Sequence, residues 1–233
     1  MAGELRRRGW ISDLETACAF GWLEEARVLL QGVPENFDTW PCQLAALHGD
    51  QPQAMHLLRE CVRPDAWQPH ELAEHAAFRG APRVLLDLVH RGLISLEHCG
   101  VELMGNAAMN GHVPILEVLV RLGVDANGRD DGFSPLMKAA TGPHLPAIEF
   151  LLRHGADVNA CDANGKTALS EALRNGPDRN SLACVRVLLA AGADPVEGDV
   201  IDSLESFASW AEPADVAEGF AQLAGECRER AAR

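Results

Sequence analysis

Histidine and cysteine are the side chains that most often bind metals or act as nucleophiles, and this chain has nine histidines and seven cysteines. The nearest approach to a zinc-binding helix is the segment His-Glu-Leu-Ala-Glu-His from His70 to His75. A zinc helix carries its two histidines four residues apart on one face, whereas these are five apart and about 140° apart around a helix. His70 is also expected to precede the helix. We therefore predict no metal site.

The adjacent pair His98 and Cys99 is the only other arrangement that suggests catalysis, through a thiol activated by an imidazole. We expect the pair to lie on a loop, where neighbouring side chains do not form a dyad, and we identify no third residue to orient the histidine. The chain also has no nucleophile elbow, phosphate-binding loop or dinucleotide fingerprint. The sequence thus predicts a protein that is not an enzyme, with no catalytic residue and no cofactor.

The cysteines are odd in number and well separated, which is unlike a disulfide framework or a zinc site. We expect buried, reduced thiols and a cytoplasmic protein. Arg6 to Arg8 begin no secretory signal, since Asp13 and Glu15 interrupt the apolar residues that follow, and no segment is apolar enough to cross a membrane. Two lysines and no tyrosine, against 18 arginines, indicate a GC-rich genome and a bacterial source.

The chain of 233 residues has a net charge of −14. Residues 187–233 hold 10 acids and 3 bases, so half of the excess lies in the last 47 positions. An acidic field repels phosphates at long range, which argues against a nucleic acid or an anionic membrane as partner.

A repeat is visible in the alanines. Six short segments have a small or apolar pair followed, three residues later, by Gly or Pro, and they start 28 to 33 residues apart. The pairs begin at Ala17, Ala45, Ala76, Ala107, Ala139 and Ala172. A second apolar segment follows each pair, and prolines mark its start at Pro52, Pro82, Pro114 and Pro146. Proline is accepted in the first turn of a helix, so each unit is predicted to be a short helix, a tight turn and a longer helix.

Several of these segments resemble the ankyrin repeat: residues 130–136 (DDGFSPL), 151–159 (LLRHGADVN), 162–169 (DANGKTAL) and 188–194 (LLAAGAD), with Gly111-His112 as the family's Gly-His turn. The resemblance is strong over 107–195 and weaker, though in phase, over 14–106. It implies an all-α ankyrin-repeat solenoid, built from helix-turn-helix repeats with short hairpin loops.

The sequence departs from the family in two ways, in its helix-start tetrapeptides and in the length of its last repeat. The Thr-Pro-Leu-His tetrapeptide, whose Thr and His link repeats by hydrogen bonds, is Ser-Pro-Leu-Met at 134–137 and Thr-Ala-Leu-Ser at 167–170. About four extra residues near Asp178 to Ser181 predict a surface bulge between the helices of the last repeat.

We predict one continuous solenoid, with six repeats over 1–196, the first of them degenerate and N-capping. Residues 197–233 are predicted to form an acidic two-helix C-terminal cap. Its apolar residues follow helical spacing. They are Val200, Ile201, Leu204 and Phe207 in the first helix, and Val216, Phe220, Leu223 and Cys227 in the second. A terminal unit needs one polar face, because nothing stacks on it.

The resemblance implies a concave face of inner helices and hairpin tips, with contacts at the two positions after each alanine pair. These positions hold Leu47 and His48, Phe78 and Arg79, Met109 and Asn110, Thr141 and Gly142, and Arg174 and Asn175. Leu47, Phe78 and Met109 are spaced by 31 residues and would align as an apolar ladder. Alternatively, these three side chains pack between repeats.

Trp67 and Phe133 fall at hairpin positions and extend the predicted patch, or else pack within their loops. The sequence thus predicts an adaptor or scaffold that binds a partner protein on its concave face. The alternative is an inhibitor or immunity-type protein that neutralises a basic partner, such as a toxin or nuclease, through its acidic surface. In either role we expect a monomer and no membrane contact.

Overall fold

The computed structural model describes residues 14–31, 40–61, 68–174, 176–195 and 199–232. Fourteen helices lie in this part of the chain, and they follow one another in pairs. They are α1 Leu14–Ala19 with α2 Leu23–Leu30, α3 Trp40–His48 with α4 Pro52–Cys61, α5 Pro69–Arg79 with α6 Pro82–His90, α7 Leu96–Met109 with α8 Val113–Arg121, α9 Pro135–Thr141 with α10 Leu145–Arg153, α11 Ala168–Arg174 with α12 Arg179–Ala190, and α13 Val200–Trp210 with α14 Ala214–Ala231.

The chain divides into two compact units, Met1–Cys99 and Gly100–Arg233. The first contains α1 to α6, and the second contains the last ten residues of α7 and all of α8 to α14. The predicted boundary after residue 196 lies inside the second unit and stays a prediction. In the six pairs that precede α13, we call the first helix of each pair the inner helix and the second the outer helix.

The turn between α5 and α6 shows why each pair forms. Gly80 ends α5 with a positive φ of 77°, a conformation that costs glycine little, and its N–H donates to the Ala76 carbonyl at 3.0 Å. Pro82 then starts α6, where a missing N–H removes no helical hydrogen bond. The predicted helix, tight turn and second helix are therefore confirmed here.

Neighbouring inner helices end so close together that a glycine directly follows one helix of the pair at the contact. A Cβ built on Gly49, just after α3, would lie 1.8 Å from the backbone oxygen of Ala19 at the end of α1. In the second unit a Cβ on Gly142 would lie 2.5 Å from the Met109 oxygen. Any larger residue at Gly49 or Gly142 would push the neighbouring inner helix away.

The outer helices supply the larger apolar side chains. Leu85 and Leu88 of α6 are buried in the first unit, and Leu116 and Leu119 of α8 are buried in the second. These pairs lie three residues apart, as expected for a helix that buries one face. Small residues in the inner helices and leucines in the outer helices thus fill each unit together.

Asparagine side chains link successive hairpins of the second unit. Asn127 donates from Nδ2 to the Gly155 carbonyl at 2.9 Å, and its Oδ1 accepts from the Asp157 N–H at 2.7 Å. Asn159 repeats the arrangement one hairpin later with Gly192 at 3.2 Å and Asp194 at 2.9 Å. The links between these hairpins therefore do not depend on the Thr and His positions where the sequence departs from the family.

The two tetrapeptides that differ from the family pattern, at 134–137 and 167–170, still start helices. Ser134 caps α9, because its Oγ accepts from the Met137 N–H at 3.2 Å. At the start of α11 the Thr167 N–H donates to Ser170 Oγ at 3.0 Å, and the Ser170 hydroxyl donates to the Thr167 carbonyl at 2.9 Å. The Ser134 and Ser170 hydroxyl oxygens thus accept from N–H groups that a helix start leaves without helical partners.

Lys138 is a buried lysine on α9, and it crosses α7 at Gly105. A Cβ on Gly105 would lie 2.8 Å from Lys138 Cδ and 2.9 Å from its Nζ. The ammonium forms an ion pair with Asp130, on the hairpin that precedes α9. A buried charge needs such a partner, and glycine at residue 105 leaves the space that the lysine stem occupies.

The structure corrects three local predictions. His70 lies in the first turn of α5, and His98 and Cys99 lie in α7 instead of on a loop. The extra residues near Asp178 add length to α12, which has 12 residues, so they form no bulge. Asp178 caps this helix by accepting from the Ser181 N–H at 2.6 Å, so the helix begins at Arg179 and includes residues that were expected to lie in the loop.

The two amphipathic helices predicted near the C-terminus are present as α13 and α14. Val200, Leu204, Val216 and Phe220 are buried, as their spacing predicts. Phe207 of α13 packs edge-on against Phe220 of α14, with ring centroids 5.4 Å apart. The two helices therefore share an apolar contact and leave their acidic residues on the outside.

Candidate functional site

Three predicted site residues lie at the ends of two inner helices of the first unit, α3 and α5, which contact each other. His48 ends α3, and Phe78 and Arg79 end α5; all three side chains are exposed. Phe78 keeps 46% of its area exposed, and the Arg79 guanidinium carbon lies 5.7 Å from its ring centroid. An exposed aromatic ring beside a cation is a contact suited to another protein. We call His48, Phe78 and Arg79 the inner-helix patch.

Leu47 does not belong to this patch, because it is only 1% exposed. Its helix, α3, contacts α1, α4 and α5. A side chain at this position of α3 is therefore covered by neighbouring helices. The predicted ladder is wrong at Leu47, where the alternative of packing between repeats applies.

Met109 and Asn110 are at the corresponding positions at the end of α7, in the second unit. Met109 is 38% exposed, while Asn110 is half-buried and donates from Nδ2 to the Asn106 carbonyl at 2.8 Å. Asn110 is thus held by its own helix, and Met109 is the part of this pair that solvent reaches.

Phe133 lies half-buried at a hairpin tip. Its backbone bridges to Asp130 in both directions, with the Phe133 N–H donating at 2.9 Å and its carbonyl accepting at 3.0 Å. Trp67 and Asn175 lie outside the described residues. The contacts predicted for these two residues therefore stay predictions.

Arg174 is exposed and lies beside a buried carboxylate that the sequence analysis did not single out. Arg174 Nε is 3.0 Å from Glu171 Oε2, Lys166 Nζ is 3.8 Å from Glu171 Oε1, and the Thr141 hydroxyl donates to Oε2 at 3.3 Å. The cluster borders a cleft of about 380 Å³ that Asp199 also lines. Two partly exposed cations around one buried anion can receive a polar group of a partner.

Phe20 was also missed. It is the most exposed large apolar side chain, at 63%, among those the structure describes, and it stacks on Trp22 with ring centroids 5.0 Å apart. It occupies the second position after the Ala17-Cys18 pair, equivalent to His48 and Arg79. The positions after the Ala17-Cys18 pair of the first repeat would therefore have predicted it.

Three thiols, those of Cys18, Cys184 and Cys227, are poorly suited to nucleophilic chemistry. Burial raises the pKa of the Cys184 thiol to about 11 and raises that of Cys227 as well. The pKa of Cys18 is raised most, by a hydrogen bond with Cys42 and then by burial. Protonated thiols are weak nucleophiles. No group of His, Cys, Asp or Glu within the described ranges could hold a metal ion.

The family model for ankyrin repeats (3 copies) matches residues 103–199. Residues 103–199 therefore carry ankyrin repeats, as the resemblance predicted. A structural match is the crystal structure of the ankyrin repeat domain of Bcl-3, a member of the IkappaB protein family. It is 24% identical, covers 89% of this chain and 98% of that domain, and has a TM-score of 0.56. No curated protein sequence matches this chain.

The all-α ankyrin-repeat solenoid predicted from the repeat spacing is confirmed as the fold class. Ankyrin repeats generally mediate protein–protein interaction and are typically non-enzymatic. Among the described helices, none combines the length and the apolar character required to cross a membrane.

Proposed function

We propose that this protein is a non-enzymatic adaptor that binds a partner protein through exposed side chains at the ends of its inner helices. The observation that carries the proposal is Phe78, an aromatic ring left 46% exposed beside the Arg79 guanidinium. Aromatic and arginine side chains supply much of the binding energy at protein interfaces. The surrounding His48 then forms part of a polar rim.

The helices that hold the patch are fixed before any partner arrives. The α5 helix buries Leu72, Ala73, Ala76 and Ala77, and α3 is packed against both α1 and α5. A surface that needs no ordering loses little conformational entropy on association. The patch is therefore suited to a folded partner that docks without large rearrangement. In this proposal the protein works as a cytoplasmic monomer.

Affinity capture from the native host, followed by mass spectrometry, would identify the partner. Purified wild-type protein and the Phe78→Ala and Arg79→Ala variants would then be titrated with that partner. Each variant is expected to weaken binding at least about tenfold, the scale of an interface hot spot, with an unchanged free energy of unfolding. Val28→Ala is the matched control, because Val28 is an exposed apolar residue on an outer helix.

Retained affinity in both Phe78→Ala and Arg79→Ala, with the fold intact, would contradict the use of this patch. An equal loss in Val28→Ala would show that truncating any exposed apolar side chain weakens binding. Either result would leave the adaptor without its proposed surface.

The second candidate is an inhibitor or immunity-type protein that captures a basic partner. Its support is the row of exposed carboxylates on and between the two C-terminal helices: Asp202, Glu212, Asp215, Glu218, Glu226 and Glu229. Some carboxylates of these helices are already neutralised, since Arg179 is 2.9 Å from Asp215 and Arg228 pairs with Glu205. The others provide a negative field that would speed the capture of a cation-rich protein. In both candidates, α13 and α14 also serve as the polar cap of the solenoid.

A further inference from the structure

The outer helices of the first unit enclose a cleft with an excess of positive charge. It has a volume of about 240 Å³ and is bordered by α2, α4 and α6, with Arg91 just after α6. Arg27, His56 and Arg91 contribute basic side chains, and Asp87 is its one lining carboxylate among the residues the structure describes. A smaller neighbouring cleft shares His56, Asp87 and Arg91 and adds Arg59. We call the two together the basic cleft.

The charges of the basic cleft do not cancel internally. Arg91 Nε is 2.8 and 2.7 Å from the two oxygens of Asp87, so this pair is neutral. Arg27 and Arg59 are exposed, and neither forms an ion pair with any residue in the described ranges. Among the described residues, the cleft therefore presents two guanidinium groups without an ion-pair partner, on a protein of net charge −14.

The remaining walls of the basic cleft are largely apolar. Leu23, Pro52 and Leu57 line it from α2 and α4. Guanidinium groups beside apolar walls fit a segment that alternates carboxylates with aliphatic side chains, since arginine binds carboxylates with paired hydrogen bonds. A basic partner is repelled here, although the rest of the acidic protein attracts it.

We propose that the basic cleft binds an acidic peptide segment of a partner protein, as a second interaction surface independent of the inner-helix patch. The carboxylates of the segment pair with Arg27 and Arg59, and its aliphatic side chains lie against Leu23, Pro52 and Leu57. The neutral Arg91–Asp87 pair forms one border of the cleft and holds the Arg91 side chain in place.

The test is a fluorescence-anisotropy titration of the full chain with two fluorescein-labelled synthetic peptides. One has the sequence Glu-Leu-Glu-Glu-Leu-Glu, and the other replaces each Glu with the neutral Gln. The Glu peptide is expected to bind and the Gln peptide to bind at least about tenfold more weakly. Arg27→Gln and Arg59→Gln should each weaken the Glu peptide about threefold, the effect of one partly exposed charge pair.

Arg83→Gln is the matched control, because Arg83 is an exposed arginine on α6 that does not line the cleft. Equal binding of the two peptides, or no binding of the Glu peptide, would overturn the proposal. So would an equal loss in Arg83→Gln, which would indicate attraction to any surface arginine. Displacement of the Glu peptide by inorganic phosphate, but not by sodium chloride of the same ionic strength, would overturn it in favour of a small-oxyanion site.

Discussion

Leu47, Phe78 and Met109 occupy the same position of successive repeats, yet their side chains differ greatly in exposure. Leu47 is 1% exposed, whereas Phe78 and Met109 keep 46% and 38% of their areas exposed. Burial at this position therefore depends on the neighbouring helices and not on the place in the repeat alone. Since only exposed side chains can contact a partner without unfolding, Phe78 in the first unit and Met109 in the second each stay candidate contact residues, and Leu47 does not.

This difference in exposure predicts a large effect of truncation on stability at Leu47 and a small one at Met109. Leu47→Ala is expected to lower the free energy of unfolding by about 2–5 kcal/mol, because it leaves a cavity in a packed region. Met109→Ala should lower it by less than about 1 kcal/mol, as for other surface substitutions. Urea denaturation followed by circular dichroism measures both. A large loss in Met109→Ala would mean that Met109 packs against other helices and is not a contact residue.

The buried thiols predict an order of chemical reactivity. Burial raises the pKa of Cys184 to about 11, whereas Cys161 is half-buried and lies at a hairpin. Thiolates react with iodoacetamide and thiols hardly do, so at pH 8 the native protein should be labelled at Cys161 well before Cys184. Peptide mapping by mass spectrometry gives the two rates. Equal rates in the native protein would contradict the assigned burial.

The same raised pKa gives a sign for the effect of alkaline pH. The folded state keeps Cys184 protonated up to a pKa of about 11, while its ordinary value is 9.0. Above about pH 9 the thiol ionises in the unfolded state but not in the folded state, which favours unfolding. The contribution of Cys184 to the free energy of unfolding is therefore fully present below about pH 9 and is lost as the pH rises toward 11. Cys184→Ala should lose less stability than the wild type between these two values, which denaturation at each pH would show.

At the scale of elements, the most informative contact is a cap that joins two helix pairs. Asp50 follows α3 with a φ of 48°, and its carboxylate accepts from the N–H groups of Arg83 and Val84, at 3.1 and 2.9 Å. These N–H groups belong to the first turn of α6, where no helical acceptor exists. A residue of one pair thus completes a helix of the next.

Two substitutions of Asp50 distinguish the contribution of this cap to stability from the cost of the positive φ. Asp50→Gly accepts the positive φ but removes the acceptors, so it should lower the free energy of unfolding by about 0.5–2 kcal/mol. Asp50→Asn keeps one acceptor and also tolerates this conformation, so its loss should be smaller. Thermal denaturation compares them. If Asp50→Asn were as destabilising as Asp50→Gly, the charge and not the cap would be responsible.

The helix pairs could be predicted from sequence because their signals are local and repeated. Alanine pairs, glycines such as Gly80 and prolines such as Pro82 specify turns and helix starts within a few residues. The extra residues before Ser181 were misplaced because a new cap at Asp178 moved the start of α12. The burial of Leu47 depends on neighbouring helices, and a sequence pattern does not show how those helices cover it. The pairing of Glu171 with Arg174, three residues later, depends on the directions of the two side chains, which the pattern does not show either.

For the whole molecule, the charge is distributed unevenly, since half of the acidic excess lies in residues 187–233. The exposed carboxylates of α13 and α14 lie in the second unit, while the basic cleft lies in the first. A net charge of −14 keeps copies of the chain apart and raises solubility. The charge alone therefore does not decide between the adaptor and the inhibitor.

Salt decides between these two functions. Binding through the inner-helix patch should weaken less than about threefold between 0.15 and about 0.5 M sodium chloride, because an aromatic contact is little screened. Electrostatic capture by α13 and α14 should weaken more than about tenfold. Titration of the captured partner at both salt concentrations measures this. The double variant Glu218→Gln, Glu226→Gln should reproduce the salt effect only if these helices form the binding surface.

The crossing of Lys138 over Gly105 also restricts how this sequence can diverge. Replacing Gly105 first would place a side chain where the Lys138 stem lies, unless the ion pair with Asp130 is broken. Replacing Lys138 with alanine first empties that space, and the glycine can then change without a clash. The two substitutions are therefore epistatic, and their effects on stability depend on the order in which they occur. Along such a path, losing the lysine first avoids the clash, whereas losing the glycine first requires the Lys138 side chain to move.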